Sequence, residues 1–323
     1  MSELIVGVDL GGTQVRAVVA HADGEIVARH ATRTNAQEGP QAVLARIARE
    51  IGHVLQGRSV AAIGVGAPGP TDPSTGLVLV AHNLPGWRNV NLCDELGEHF
   101  DAPVFVGNDA NLAALAEHRY GAGRGCGHMI YLTVSTGIGA GVIVENRMLL
   151  GVRGLAAELG HTTIDAQAEQ HGDNVVGTLE GLTSGPNIAR RAQEALALGA
   201  KSLALEAAGG QISAVSPELL NRAAHAGDTF AREQFRESGR YLGIGITNML
   251  HTFNPERIVI GGSVWLHARN LMIDSVWETI RARAESPEYW QELQILDAAL
   301  GEDVGLLGAV AVAADGLQQR NHK

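Results

Sequence analysis

Two glycine-rich turns in this chain each leave a β-branched strand: VGVDLGGT at Val6 to Thr13 and YLTVSTGIGAG at Tyr131 to Gly141. Between them, GNDAN sets Asp109 just past a further strand. Glycine lets backbone N–H groups approach a polyphosphate closely, and two such turns facing each other would hold one nucleotide from both sides. Either turn alone reads equally well as a tight hairpin. With a lone carboxylate between them, the pair points to phosphoryl transfer.

The elements that must position these residues recur along the chain. ELIVGVD, QVRAVVAHA and EIVARHAT read as three strands, the last two joined at Asp23 and Gly24. An amphipathic helix over Gln41 to Leu55 follows, with Val43, Ile47 and Ile51 at helical spacing, then the strand SVAAIGVG. A helix near Leu92 to Phe100, the strand APVFVGN and a helix from about Ala110 to Tyr120 close the first half. The second half opens the same way, with HMIYLTVS, a glycine turn, GAGVIVEN and a short strand through Met148 to Leu150. A mostly helical stretch from Leu179 to Phe253, the strand ERIVIGG, a long helix to about Arg283, the strand ELQILDA and a helix from Val304 to Leu317 complete it. That last helix is apolar over most of its surface, which requires burial.

Composition narrows the function classes. The chain has 323 residues, room for about two domains, and the glycine-dense YGAGRGCG at Tyr120 to Gly127 reads as a hinge. We expect an N-terminal α/β domain over residues 1–120, onto which the helix at 304–317 packs back, and a larger α/β domain over 121–303. A formal net charge of −11, with scattered Lys and Arg, gives a nucleic-acid groove little electrostatic support, so a nucleotide ligand needs Mg²⁺ as its counter-charge. The two cysteines, Cys93 and Cys126, form no C-x-x-C pair. With no basic n-region or cleavage site and no apolar run near the roughly 18 residues of a membrane span, neither a leader nor a span is expected. The expectation is a soluble, cytoplasmic α/β enzyme.

Seven motifs in order carry a resemblance, along essentially the whole chain, to the ROK family of sugar kinases, nearest in appearance to its bacterial glucokinases. They are DLGGT (Asp9 to Thr13), GVGAPGP (Gly64 to Pro70), HNLPGW (His82 to Trp87), GNDAN (Gly107 to Asn111), TVSTGIGAG (Thr133 to Gly141), AELGH (Ala157 to His161) and IGGS (Ile260 to Ser263). The resemblance implies the two-domain actin-like ATPase and sugar-kinase fold, a ribonuclease H-like duplicated β-β-β-α-β-α unit with its active-site cleft between the domains. It implies ATP and Mg²⁺ and a hexose substrate; dimers are common among relatives, and nothing in the sequence forbids a homodimer.

The resemblance also distributes roles. Asp109 is the catalytic base beside the sugar's 6-hydroxyl; as an alternative or additional role, Asp is a good N-cap for the helix beginning near Ala110. Gly11, Gly12 and Thr13 cradle phosphates. Asp9 beside them organises Mg²⁺ through water, because a bare carboxylate would repel phosphate. Thr136, Gly137 and Gly139 resemble the second phosphate loop, and Gly261 and Gly262 the adenosine-side turn. Asn83, Asn108, Glu158, His161 and Glu180 form the sugar-binding ring, joined by Asp109 and by Gly69, which lets backbone approach the sugar.

One stretch departs from the family. Most members carry C-x-C-G-x-x-G-C-x-E after E-x-G-H, and the three thiolates join that His in a structural zinc site. Here the stretch is HGDNVVGTLE, His171 to Glu180, with His171, Asp173 and Thr178 in place of cysteine. Structural zinc takes about four N or S ligands, and His161, His171 and Asp173 supply at most three. No tightly held zinc is expected; a divalent ion on those three with water is the minor alternative. Packing of Val175, Val176 and Leu179 must then hold Glu180 toward the sugar.

The reading that follows is an ATP-dependent glucokinase-type enzyme. Kinases for N-acetylglucosamine, N-acetylmannosamine, mannose or fructose are the nearest alternatives. A sugar-sensing regulator is the alternative from another class; with DLGGT beginning at Asp9, no helix-turn-helix is expected ahead of it. A catalytically silent sugar binder would be expected to lose Asp109 or a phosphate loop.

Overall fold

The structure, a computed structural model, describes residues 3–81, 83–168 and 177–321. Leu4–Leu10 (β1), Gln14–His21 (β2) and Ile26–Arg33 (β3) form an antiparallel meander. The helix Pro40–Leu55 (α1) leads into Ala62–Ala67 (β4), which pairs parallel with β1. Three short strands follow, Thr71–Asp72 (β5), Leu77–Val80 (β6) and Arg88–Asn91 (β7), forming a small antiparallel sheet that sequence periodicity did not reveal. Then come Leu92–Gly97 (α2), Val104–Asn108 (β8), which pairs parallel with β4, and Asp109–Tyr120 (α3). The first sheet has the order β3-β2-β1-β4-β8.

The second half repeats that order. Met129–Val134 (β9), Ile138–Val144 (β10) and Arg147–Met148 (β11) are followed by helices Leu179–Thr183 (α4), Gly185–Ala197 (α5), Leu203–Ala207 (α6), Pro217–His225 (α7) and Thr229–Phe253 (α8). Arg257–Gly261 (β12), Ser263–Arg283 (α9), Gln294–Asp297 (β13) and Val304–Asn321 (α10) complete the chain. The second sheet reads β11-β10-β9-β12-β13, again antiparallel at one edge and parallel at the other. The described chain divides into two compact units, residues 1–131 with 141–157 and 298–323, and residues 132–140 with 158–297. The expected boundary at 120–121 thus lies inside the first unit, and the chain crosses between units four times.

Strand alternation decides what each face of the first sheet meets. Val6, Val8 and Leu10 of β1 and Ile63, Val65 and Ala67 of β4 join the core covered by α1, whose Val43, Ile47, Ile51 and Val54 are buried at helical spacing. The opposite set, Ile5 and Ala62 with Val18 and Ala20, packs on Leu306, Val310, Ala313 and Ala314 of α10. α10 also packs on α3, so apolar surface is used on two sides of the helix. It continues past Leu317 because Gln318, Gln319 and Arg320 are good helix formers that need no burial.

Glycine makes the α10 approach possible. A Cβ on Gly64 would lie 1.8 Å from the carbonyl oxygen of Ala309. Backbone cannot swing aside as a side chain can, so Gly64→Ala is expected to destabilise the protein by about 3 kcal/mol. Urea unfolding of the variant against wild type measures it, and an unchanged midpoint would refute the close helix packing.

Both cysteines are free, with Cys126 buried, and burial pushes the Cys93 thiol up to about 11, so neither is placed as a reactive thiolate. Among the described residues no helix is long and apolar enough to cross a membrane.

Candidate active site

In the first unit, the candidate residues gather at the C-terminal ends of three adjacent parallel strands, where open α/β sheets bind ligands. Parallel register aligns Asp9 of β1 with Gly66 of β4, Gly66 with Gly107 of β8, and Ala67 with Asn108. Asp9 shares a face with Ile5 and Gly7 and therefore points toward the start of α10. Its Oδ2 accepts from Arg16 Nε at 3.1 Å and also from Arg16 Nη2, while Arg16 Nη1 donates to the Glu302 carbonyl at 2.8 Å. Arg16 is the direct cross-strand partner of Asp9, a neighbour the sequence reading missed because it depends on hairpin register.

Asp9 Oδ1 accepts no hydrogen bond among the described residues. A Cβ on Gly305 would lie 3.1 Å from it, so the glycine keeps that oxygen approachable. A hydrated cation fits this arrangement better than direct ligation, since Arg16 already occupies the other oxygen. The Gly11 amide closes the β1–β2 turn on Gln14 O at 2.9 Å, and the amides of Gly12 and Thr13 make no hydrogen bond among the described residues. They remain as donors for an anion. A Cβ on Gly12 would meet Asn83 at 3.2–3.4 Å, which brings that exposed asparagine beside the turn.

Asn108 corrects the expected helix cap. Its Oδ1 accepts from the amides of Ala110 (3.0 Å) and Asn111 (3.3 Å), so Asn108 caps α3 and Asp109 is the first helical residue. The physical reason is backbone conformation: Asn108 is extended, at φ −66° and ψ 145°, as a cap must be. Asn108 Nδ2 donates to the Gly69 carbonyl at 3.0 Å. Gly69 has φ +82°, and a Cβ there would lie 2.1 Å from Val80 O, so this turn requires glycine. Asp109 is exposed, and its Oδ1 accepts from the Ala110 amide at 2.8 Å. The N-terminus of α3 stabilises that negative charge.

In the second unit, the candidate residues converge on Ile138. Glu180 Oε2 accepts the Ile138 amide at 2.8 Å, and a Cβ on Gly137 would lie 2.6 Å from the same oxygen. A Cβ on Gly160 would lie 2.1 Å from Ile138 O, so the turn Leu159–His161 lies against the same residue. Glu158 and His161 flank that single 3₁₀ turn, both half-exposed, with Oε2 and Nε2 4.0 Å apart. Ser135 O accepts from Gly185 N at 2.8 Å, and Ser135 Oγ bonds Ser263 Oγ at 2.9 Å. Gly262, at φ +88°, would place a Cβ 2.4 Å from Val134 O. The turn at 135–138, with exposed Thr136, thus meets Gly261–Gly262, Glu180 and the Glu158–His161 turn. Gly139 lies one residue further on, within β10.

The stretch without cysteines is held from its far end. Gly177 O accepts the amides of Ile164 (2.8 Å) and Asp165 (3.1 Å), and Leu179 N donates to Thr162 O at 3.0 Å. Thr178 is buried, and its hydroxyl caps α4 through Gly181 N at 3.1 Å. Leu179 is fully buried against Gly245 of α8. Cap and packing together orient Glu180. His171, Asp173, Val175 and Val176 lie outside the described residues, as does His82 of the HNLPGW motif.

The pattern that describes the ROK family matches residues 5–316. A glucokinase of Halalkalibacterium halodurans is 36% identical over 94% of this chain and 92% of its own. Among solved structures, a ROK hexokinase from Thermus thermophilus superposes with TM-score 0.84 at 34% identity, covering 98% of this chain and 99% of that one. A ROK family glucokinase from Streptomyces griseus, in complex with glucose and AMPPNP, gives TM-score 0.79 at 31% identity over 97% and 100%. Two α/β units with mixed sheets and these glycine turns make up the fold of a two-domain sugar kinase. The chain belongs to the ROK family.

Proposed function

We propose that the protein is an ATP-dependent hexose kinase of the glucokinase type, transferring the γ-phosphoryl group of ATP to the 6-hydroxyl of glucose. The observation that carries this reading is full-length similarity to glucokinases, one of them solved with glucose and AMPPNP, in a chain that keeps Asp109 and both glycine turns.

In this reading Asp109 aligns the sugar hydroxyl and accepts its proton late, because phosphoryl transfer passes through a loose transition state. Asn108 holds the Gly69 carbonyl and the start of α3 in one arrangement, fixing the backbone on which Asp109 sits. Asn83, Asn108, Glu158, His161 and Glu180 pair with sugar hydroxyls, which both donate and accept. The amides of Gly12 and Thr13 and those of Thr136 and Gly137 receive phosphate oxygens, while the amides of Ser135 and Ile138 are taken by Gly137 O and Glu180, and Gly261–Gly262 supports the adenosine side. Mg²⁺, when bound with ATP, neutralises phosphate charge, and Asp9 Oδ1 would hold it through water. Arg16 keeps Asp9 oriented for that contact.

A coupled assay of ATP consumption across glucose, mannose, fructose, N-acetylglucosamine and N-acetylmannosamine tests the proposal. Glucose is expected to give the highest kcat/KM. Discrimination among these sugars is about 10- to 200-fold where it rests on small apolar differences. Absence of sugar-dependent ATP consumption with every member of the panel would overturn the reading, and a preference for an N-acetylhexosamine would reassign the substrate.

A further inference from the structure

A second set of chemistry-bearing residues lies on the first unit and includes none of the candidate active-site residues. Glu50 and His53 stand three apart on α1, which puts both on one helix face, and His30 reaches them from β3, the edge strand packed on that helix. His30 Nδ1 bonds Glu50 Oε2, and His53 Nδ1 lies 3.6 Å from Glu50 Oε1. The three donor atoms fall within 4.8 Å of one another, and the two imidazoles meet edge to face with centroids 4.8 Å apart.

We propose that His30, Glu50 and His53 form a binding site for a divalent transition-metal ion of the zinc type. Burial and charge carry the argument. Glu50 is only 2% exposed, whereas the side chains of His30 and His53 are 48% and 52% exposed. Its ion-pair partners among the described residues are these two imidazoles alone. A neutral imidazole brings no charge, and an uncompensated carboxylate in the interior is costly. The guanidinium one turn away does not help, because Arg46 is engaged by Glu38 and by the Thr34 carbonyl. A cation seated at the mouth of the cluster compensates Glu50 while both histidines face solvent, which leaves an entry path and a position for water.

The donor set selects the ion. Two imidazoles and one carboxylate suit Zn²⁺, Co²⁺ or Ni²⁺, whereas Mg²⁺ and Ca²⁺ take oxygen ligands. Tetrahedral ligation at roughly 2.0–2.1 Å sets donor atoms about 3.3 Å apart, so the His53–Glu50 separation needs only a small side-chain adjustment. The ion would clamp the edge strand β3 onto α1. Its place is structural, and it shares no residue with the His161–His171–Asp173 alternative of the sequence reading.

Cobalt titration of the full-length, chelator-washed protein, followed by visible absorption and zinc competition, tests the site. Wild type is expected to bind about one ion with micromolar affinity and a tetrahedral cobalt spectrum, and to gain thermal stability on adding Zn²⁺. His53→Ala and His30→Ala, both at exposed positions, are expected to fold, to bind at least about tenfold more weakly and to lose the Zn²⁺-dependent rise in Tm. His161→Ala is expected to bind as wild type does. Equal affinity in His53→Ala and wild type, no stoichiometric binding by wild type, or loss of binding in His161→Ala would each overturn the proposal.

Discussion

Asp109→Asn is expected to lower kcat about 100- to 10,000-fold, the range that a positioned general base contributes, while glucose affinity stays close to wild type. Asparagine keeps an oxygen at the Oδ1 position, so the hydrogen bond to the Ala110 amide survives and the first turn of α3 is undisturbed. What disappears is the ability to take a proton and the charge that orients the sugar hydroxyl. Steady-state kinetics in a coupled assay, set beside calorimetric titration with glucose, separates the two effects. Turnover near wild type would remove Asp109 from the chemistry. A matched loss of glucose affinity would make it a sugar ligand rather than a base.

Asp109 was legible in the sequence because its surroundings are local: a strand, an Asn, an Asp, then helix. The division of labour between Asn108 and Asp109 was not. Both residue types are preferred caps, and only backbone conformation shows that Asn108 takes the cap and leaves Asp109 inside the first turn. The duplicated strand order was visible for the same local reason, since β1 and β9 are each a mainly apolar run that leads into a glycine-containing turn. By contrast, β5, β6 and β7 are two to four residues long, too short to display a period of two.

The partners of the site residues depend on register and on tertiary packing. Arg16 faces Asp9 because the register of the β1–β2 hairpin sets those two positions opposite each other, and an even shift of register would have chosen a different neighbour. Glu50-x-x-His53 could be read on one helix face, but His30 enters only once β3 packs on α1. Thr178 looked like a lost metal ligand. In the fold it is a helix cap, the kind of role a short hydroxyl side chain takes over without any neighbouring change in sequence.

Replacement of Glu180 should separate its two contacts. Glu180→Ala is expected to raise the KM for glucose about 10- to 100-fold, the effect of losing a charged hydrogen-bond partner of the sugar worth about 1.5–3 kcal/mol. It also leaves the Ile138 amide without its acceptor, in a residue only 4% exposed, so the 135–138 turn loses its hold and the KM for ATP rises by a smaller factor. Glu180→Gln retains an acceptor oxygen for that amide but not the charge. In the Gln variant, therefore, the KM for ATP should return close to wild type while the KM for glucose stays elevated. Initial-rate kinetics with each substrate varied in turn reads both constants. If the two variants raise both constants equally, Glu180 acts only by bracing the turn. If neither moves the glucose constant, the carboxylate does not reach the sugar, and the C-terminal end of the stretch without cysteines serves the nucleotide side alone.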